Sequence, residues 1–159
     1  MDLEQAGLGT LLRALLDQLD PAVEQTYADL PMAYRPRFTP VIQTLLRLGA
    51  CRIKDIAASS GLSHSAVSQT VSAMVRAGWL RTAPGTDGRE RVLSLTGAAQ
   101  RLVPQLERRW RSTTMAARAL DAELAVPLER ALREALAALE RRPFEARLAD
   151  AARRDAAPG

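Results

Sequence analysis

Ser65, Ser68, Gln69, Ser72 and Arg76 recur at the spacing of one helical face, opposite the apolar Val67, Val71, Met74 and Val75. Their chemistry is recognition of a polyanion. Small hydroxyls permit close approach and donate to phosphates or base edges, a guanidinium neutralises phosphate, and Gln69 can pair with adenine through two hydrogen bonds. Ser63 stands where a hydroxyl caps such a helix, and Ser63 and Ser65 lie where unpaired backbone N–H groups and the helix dipole favour an anion. Ser63 also reads as a cap alone, and His64 as either a solvent residue or a phosphate contact. His64 is the one histidine and Cys51 the one cysteine, with no acid motif beside them. Neither catalysis, a metal site nor a cofactor is expected.

The charge map agrees. Residues 1–34 carry one Arg against six acids (−5), residues 35–91 nine Arg or Lys against three acids (+6), and residues 92–159 twelve against nine (+3). The middle segment is the basic one, as a surface facing phosphates requires; a solvated basic face is the alternative. With 47% hydrophobic residues and no apolar run near the roughly 20 needed to span a bilayer, a soluble chain is expected. The acidic start, Asp2 and Glu4, lacks the basic region of a secretory signal, which points to the cytoplasm.

The elements that must position this face follow from periodicity. Leu8, Leu12, Leu15, Leu16 and Leu19 predict a helix over residues 3–19, interrupted at Asp20-Pro21, with a second helical stretch over 22–30. Leu30 to Arg37, with two prolines, is a connector. Thr39-Pro40 predicts a helix start, Val41, Ile42, Leu45, Leu46 and Leu48 its buried face, and Gly49 its stop. Ile53, Ile56 and Ala57 face inward on a short helix ended by Gly61, although Arg52 stands where a capping hydroxyl is expected. The Ser63-capped helix then closes at Gly78.

From Trp79 the pattern turns extended, Leu80 and Thr82 preceding Pro84-Gly85-Thr86-Asp87-Gly88, with Arg91, Val92, Leu93 and Leu95 following: a hairpin with a Gly-rich tip. Thr96 caps a long helix with a seam through Ala99, Leu102, Leu106, Trp110, Thr113, Ala117 and Leu120, kinked at Pro104. A last helix, capped near Asp121 or starting at Pro127, buries Leu128, Leu132, Leu136 and Leu139.

Ile53-x-x-Ile56-Ala57, Gly61-Leu62-Ser63, Gly78-Trp79-Leu80, and above all Asp87-Gly88-Arg89 followed by Leu93-Ser94-Leu95-Thr96, resemble the MarR family of winged-helix regulators. The resemblance covers residues 39–100 well and the flanking helices by pattern only. It implies a mainly α fold with a small β-hairpin, a winged helix-turn-helix flanked by N- and C-terminal dimerisation helices. The corresponding division is 1–38 for N-terminal helices and connector, 39–96 for the DNA-binding module, 97–148 for C-terminal helices and 149–159 for a flexible tail. The resemblance also implies that Arg89 probes the minor groove, held by Asp87, and a guanidinium on a hairpin is physically suited to that narrow, negative groove. Glu90, beside Arg89, departs from this pattern by placing an acid next to the probe.

The partners so implied are double-stranded DNA with a pseudo-palindromic operator, a second copy of the chain, and a small aromatic effector, with repression the expected role. The helical seams need a partner surface, because one small winged module cannot bury them all; a monomer folding them on its own core is the alternative. Tyr34, Arg35, Arg37 and Trp110 could line an effector cleft, or Tyr34 and Trp110 could be core fillers. Cys51 reads as an oxidant sensor or as a buried thiol. The rival to DNA binding is a winged-helix protein-interaction module.

Overall fold

A computed structural model describes residues 4–85 and 90–155. The chain forms two compact units, Met1–Trp110 and Arg111–Gly159. The first contains α1 (Leu8–Gln25), a 3₁₀ turn (Pro36–Phe38), α2 (Thr39–Leu48), α3 (Ile53–Ser60), α4 (His64–Arg76), β1 (Leu80–Pro84) and β2 (Arg91–Leu95). Helix α5 (Gly97–Ala122) begins in the first unit and ends in the second, which also holds α6 (Leu128–Arg141) and α7 (Phe144–Asp155).

The core of the first unit lies where α2, α3, α4 and the hairpin meet. Val41, Ile42, Ile56, Val67, Met74 and Trp79 are fully buried, and Ala99, Leu102 and Leu106 of α5 join them. Thr44 and Thr70, which the hydrophobic pattern did not select, are also inside, whereas Leu46, Leu48 and Val75, expected in the buried faces, are exposed. The reason is angular: a short helix packed on one side buries a stripe, and those three residues fall on its margin.

Strands β1 and β2 are antiparallel, with Leu80 opposite Leu95 and Pro84 opposite Arg91. Cys51 adds a one-residue bridge to β2, donating its N–H to Leu93 O (3.1 Å) and accepting from Leu93 N–H (2.8 Å). The turns that set the helices at angles use glycine where only glycine is unstrained: Gly49 (φ 74°) ends α2 and Gly61 (φ 70°) ends α3.

Several expected boundaries shift. Helix α1 runs through Pro21 to Gln25 without the interruption expected at Asp20-Pro21, and residues 26–30 form turns. Proline removes one N–H from the ladder, but Asp17 and Pro21 are exposed, so water can satisfy the carbonyl left over. Helix α5 likewise continues across Pro104. Thr39 is the first residue of α2 and not its hydroxyl cap, because its Oγ1 is bonded to the Tyr34 hydroxyl at 2.6 Å.

The two alternatives for the start of α6 combine: Pro127 precedes its first residue, and Asp121 Oδ1 accepts the Leu128 N–H at 2.8 Å. Residues 149–155, expected within a flexible tail, belong to α7, where Asp150 pairs with Arg142 and Arg153. Among the described residues, no helix is long and apolar enough to cross a membrane.

Candidate nucleic-acid interface

Helix α4 is presented by its two ends and its buried face. At the start, Ser63 Oγ accepts the Ala66 N–H at 3.2 Å, so the expected cap exists. At the end, Gly78 (φ 77°) turns the chain, and Thr96 fastens it by donating its hydroxyl to Gly78 O at 2.7 Å. Val67, Thr70, Val71 and Met74 bury the inner face. The outer face then follows from the 3.6-residue repeat: Ser63, His64, Ser65, Gln69, Ser72 and Arg76 are exposed and Ser68 is half-buried. Ser72 donates its hydroxyl to Ser68 O at 2.9 Å, which leaves its oxygen lone pairs facing outward and its proton engaged within the helix. The structure thus brings all seven α4 positions named from sequence onto or beside one solvent-facing surface. Asp87 and Arg89, the two wing positions, lie outside the described residues.

Helix α3 supports α4 from behind. The missing hydroxyl at Arg52 is replaced from the other direction: Asp55 Oδ2 accepts the Arg52 backbone N–H at 3.0 Å, the half of a capping box that the third helical residue supplies. The Arg52 guanidinium returns to the same carboxylate (Nε 3.0 Å, Nη2 3.2 Å) and reaches across to Glu90 (Nη1 to Oε2, 2.5 Å), where Lys54 Nζ also donates at 2.9 Å. Hydrogen bonds from Arg52 hold the Asp55 carboxyl below its ordinary range; those from Lys54 and then Arg52 do the same for Glu90. Arg52 and Glu90 are each departures in the sequence, and nothing in the residue order shows that they meet across 38 positions.

On the hairpin, Arg81 Nε donates to Ser94 Oγ (3.0 Å) and Arg91 Nη1 to Thr82 Oγ1 (3.3 Å), placing two further guanidinium groups on exposed strand positions beside the described α4 surface's supporting sheet. Alternation with buried Leu80 was the available signal for Arg81; Arg91 shares the face of Leu93 and Leu95 and is exposed at the end of the strand.

The residues named for an effector separate into two groups. Tyr34 packs against Tyr27 (ring centroids 4.4 Å apart), Phe38 (5.9 Å) and Trp79 (5.3 Å), and its hydroxyl receives the Trp110 indole N–H at 3.2 Å. Burial pushes the Tyr34 phenol up to about 12, against the opposing hydrogen bonds from Thr39 and Trp110. Tyr34 and Arg35 both line an open groove of about 540 Å³ together with Pro21, Glu24, Tyr27 and Leu30. Arg37 is exposed in the 3₁₀ turn, outside that lining. Cys51 is buried; desolvation, then the nearby Asp55 carboxylate, raises its thiol despite Arg52. Among the described residues no group of three or more His, Cys, Asp or Glu is arranged to hold a metal ion.

Comparison with known proteins agrees with this geometry. The model of the MarR family matches residues 39–90, from the first residue of α2 to the residue ahead of β2. No curated protein matches the sequence. Among solved structures, the chain is similar to the Mycobacterium tuberculosis transcriptional regulator MOSR in complex with DNA: 19% identity, TM-score 0.61, covering 93% of this chain and 99% of that one. It is similar to the Streptomyces coelicolor transcriptional regulator PcaV in complex with its natural ligand (19%, 0.57, 86% and 96%). A third similar structure is Bordetella bronchiseptica BpsR, whose DNA binding is regulated by 6-hydroxynicotinic acid (18%, 0.56, 73% and 81%). At these identities the structural likeness establishes the fold, a winged helix with added helices. The family match spans residues 39–90, the helix-turn-helix and the approach to its wing, and this segment is therefore similar to the MarR family.

Proposed function

We propose that the chain binds duplex DNA sequence-specifically as a homodimer and represses transcription, α4 entering the major groove and the wing reaching the minor groove through Arg89. The observation that carries this reading is the outer face of α4. Ser65, Gln69, Ser72 and Arg76 are exposed there without a large apolar residue among them, on a scaffold whose family match ends at the wing. Gln69 is the base reader; Ser63, His64, Ser65, Ser68 and Ser72 supply hydroxyl, imidazole and backbone contacts, and Arg76 and Arg89 supply positive charge. Asp87 orients Arg89. The operator is pseudo-palindromic because a two-fold dimer presents the same helix twice.

Dimer formation is supported by apolar surface. Leu8, Leu11, Leu12, Leu16 and Leu19 of α1 are exposed, as are Leu132, Leu136 and Leu139 of α6 and Phe144 and Leu148 of α7. Monomers rarely leave such rows in water. A small aromatic acid is the proposed effector. Tyr34 and Arg35 supply a ring and a guanidinium in the groove, Arg37 lies in the adjoining turn, and Trp110 braces Tyr34 from behind. The chain acts in the cytoplasm, and no enzymatic step is assigned to it.

Titration of the protein with random duplex DNA over a salt series tests the reading. DNA binding predicts log affinity falling linearly with log salt, by about 0.9 for each phosphate neutralised. Absence of binding at low salt, or affinity indifferent to salt, would favour the winged-helix protein-interaction module.

A further inference from the structure

Glu90 immediately precedes β2, and three contacts with the described residues hold it. Its backbone carbonyl accepts the Gly85 N–H at 2.7 Å, Oε2 accepts from Arg52 at 2.5 Å, and Oε1 accepts from Lys54 at 2.9 Å. Both cations belong to the start of α3, the first helix of the helix-turn-helix pair. Arg52 is itself held by two hydrogen bonds to Asp55, so its planar fork reaches Glu90 already oriented and loses little freedom in doing so.

A second tie lies on β2 itself. Leu93 exchanges both backbone hydrogen bonds with Cys51, the residue before Arg52. That rung, the buried Leu80, Leu93 and Leu95, and the bonds from Thr96 to Gly78 and Trp79 hold the base of the hairpin. The attachment at Glu90, three residues from Leu93 and about 10 Å along the chain, holds the end towards the loop. We infer that Glu90 is a positioning residue that clamps the wing to the start of α3 through Arg52 and Lys54, fixing the angle at which the hairpin is carried beside α4. An isolated exposed ion pair would do little; here two cations converge on one carboxylate and a second carboxylate pre-orients one of them. The acid that departs from the family's wing pattern thereby has a role other than facing DNA.

The clamp is independent of DNA, whereas its consequence for recognition rests on the regulator reading proposed above. Hydrogen exchange measured by peptide on the full chain tests the clamp. Glu90→Gln should accelerate exchange in residues 80–95 about two- to fivefold and leave residues 64–76 of α4 unchanged. Raising salt should bring the wild-type hairpin toward the variant rate while leaving the variant unaffected, a signature of charge that a packing role would not give. An unchanged hairpin, equal acceleration in α4, or a wild-type rate indifferent to salt would overturn the clamp. In parallel, Glu90→Gln should lower the ratio of preferred-site to random-duplex affinity by about the same factor, since a looser wing and one more net positive charge both favour indiscriminate binding. Failure of the wild type to bind any duplex would remove the regulator reading, and the exchange result would still decide the clamp.

Discussion

Thr96 and Gly78 join the two ends of the wing: the Thr96 hydroxyl donates to Gly78 O at 2.7 Å while its oxygen accepts the Ala99 N–H at 3.2 Å. One side chain therefore caps α5 and ties it to the turn after α4, where Thr96 N–H also reaches Trp79 O at 3.0 Å. Thr96→Ala should cost about 1–2 kcal/mol by removing the cap and the donor to Gly78 together. Thr96→Ser, which keeps both bonds, should cost less than half of that. Urea denaturation of the two variants checks the difference; equal losses would show that the methyl group matters and the hydroxyl does not.

Gln69 and Arg89 separate base reading from wing contact. Gln69→Ala should change which operator variants are preferred, by about 5- to 100-fold at one base position, with a smaller effect on random duplex. Arg89→Ala should weaken operator binding while leaving the melting temperature within about 2 °C of wild type, as expected of an exposed position. Binding measured on a panel of single-base operator variants distinguishes the two. A uniform loss for Gln69→Ala would count against its role as base reader, and unchanged affinity for Arg89→Ala would remove the wing probe.

Tyr34 makes stability fall at high pH. Its folded phenol titrates near 12 because of burial, whereas the unfolded phenol loses its proton near 10. Between these values the unfolded state binds fewer protons than the folded one, so unfolding becomes easier as pH rises from about 10 towards 12. Below pH 10 the contribution is fully present. Tyr34→Phe should show a shallower loss than wild type across this window in denaturant titrations at fixed pH. Parallel curves would place the proton elsewhere.

Cys51 should be silent towards oxidants in the folded protein. Its thiol is buried, its pKa is raised, and its backbone is locked to Leu93 by two hydrogen bonds. A thiol-reactive chromophore should label it at the rate of global or local unfolding, accelerating steeply with urea. Rapid labelling in buffer, or DNA affinity altered by mild peroxide, would restore the sensor reading.

Much of the architecture is contained in local chemistry. The polar and apolar faces of α4, the Ser63 cap, the glycine stops at 49 and 61, the Thr96 cap and the hairpin that it follows are each specified by a few neighbouring residues. Such features are readable because a cap, a positive φ and a 3.6-residue repeat depend on positions within one turn of each other. The helix through Pro21 was not readable, since local propensity forbids what solvent on an exposed face makes tolerable. Nor was the fate of Thr39, whose hydroxyl has two acceptable partners and takes the one brought by the connector.

The α4 face with which the sequence began was therefore determined by sequence alone: which side chains it shows, and that they suit a polyanion. Only the tertiary structure decided what surrounds it. Arg52 and Glu90, each a departure when read alone, become a clamp because folding brings the side chains of residues 38 positions apart to 2.5 Å. Trp79 is the largest fully buried side chain among the described residues, its indole N–H donated to Ala33 O at 2.8 Å, because the connector packs against it through Ala33 and Tyr34. Contacts between distant residues depend on the path of the whole chain, which no window of sequence contains.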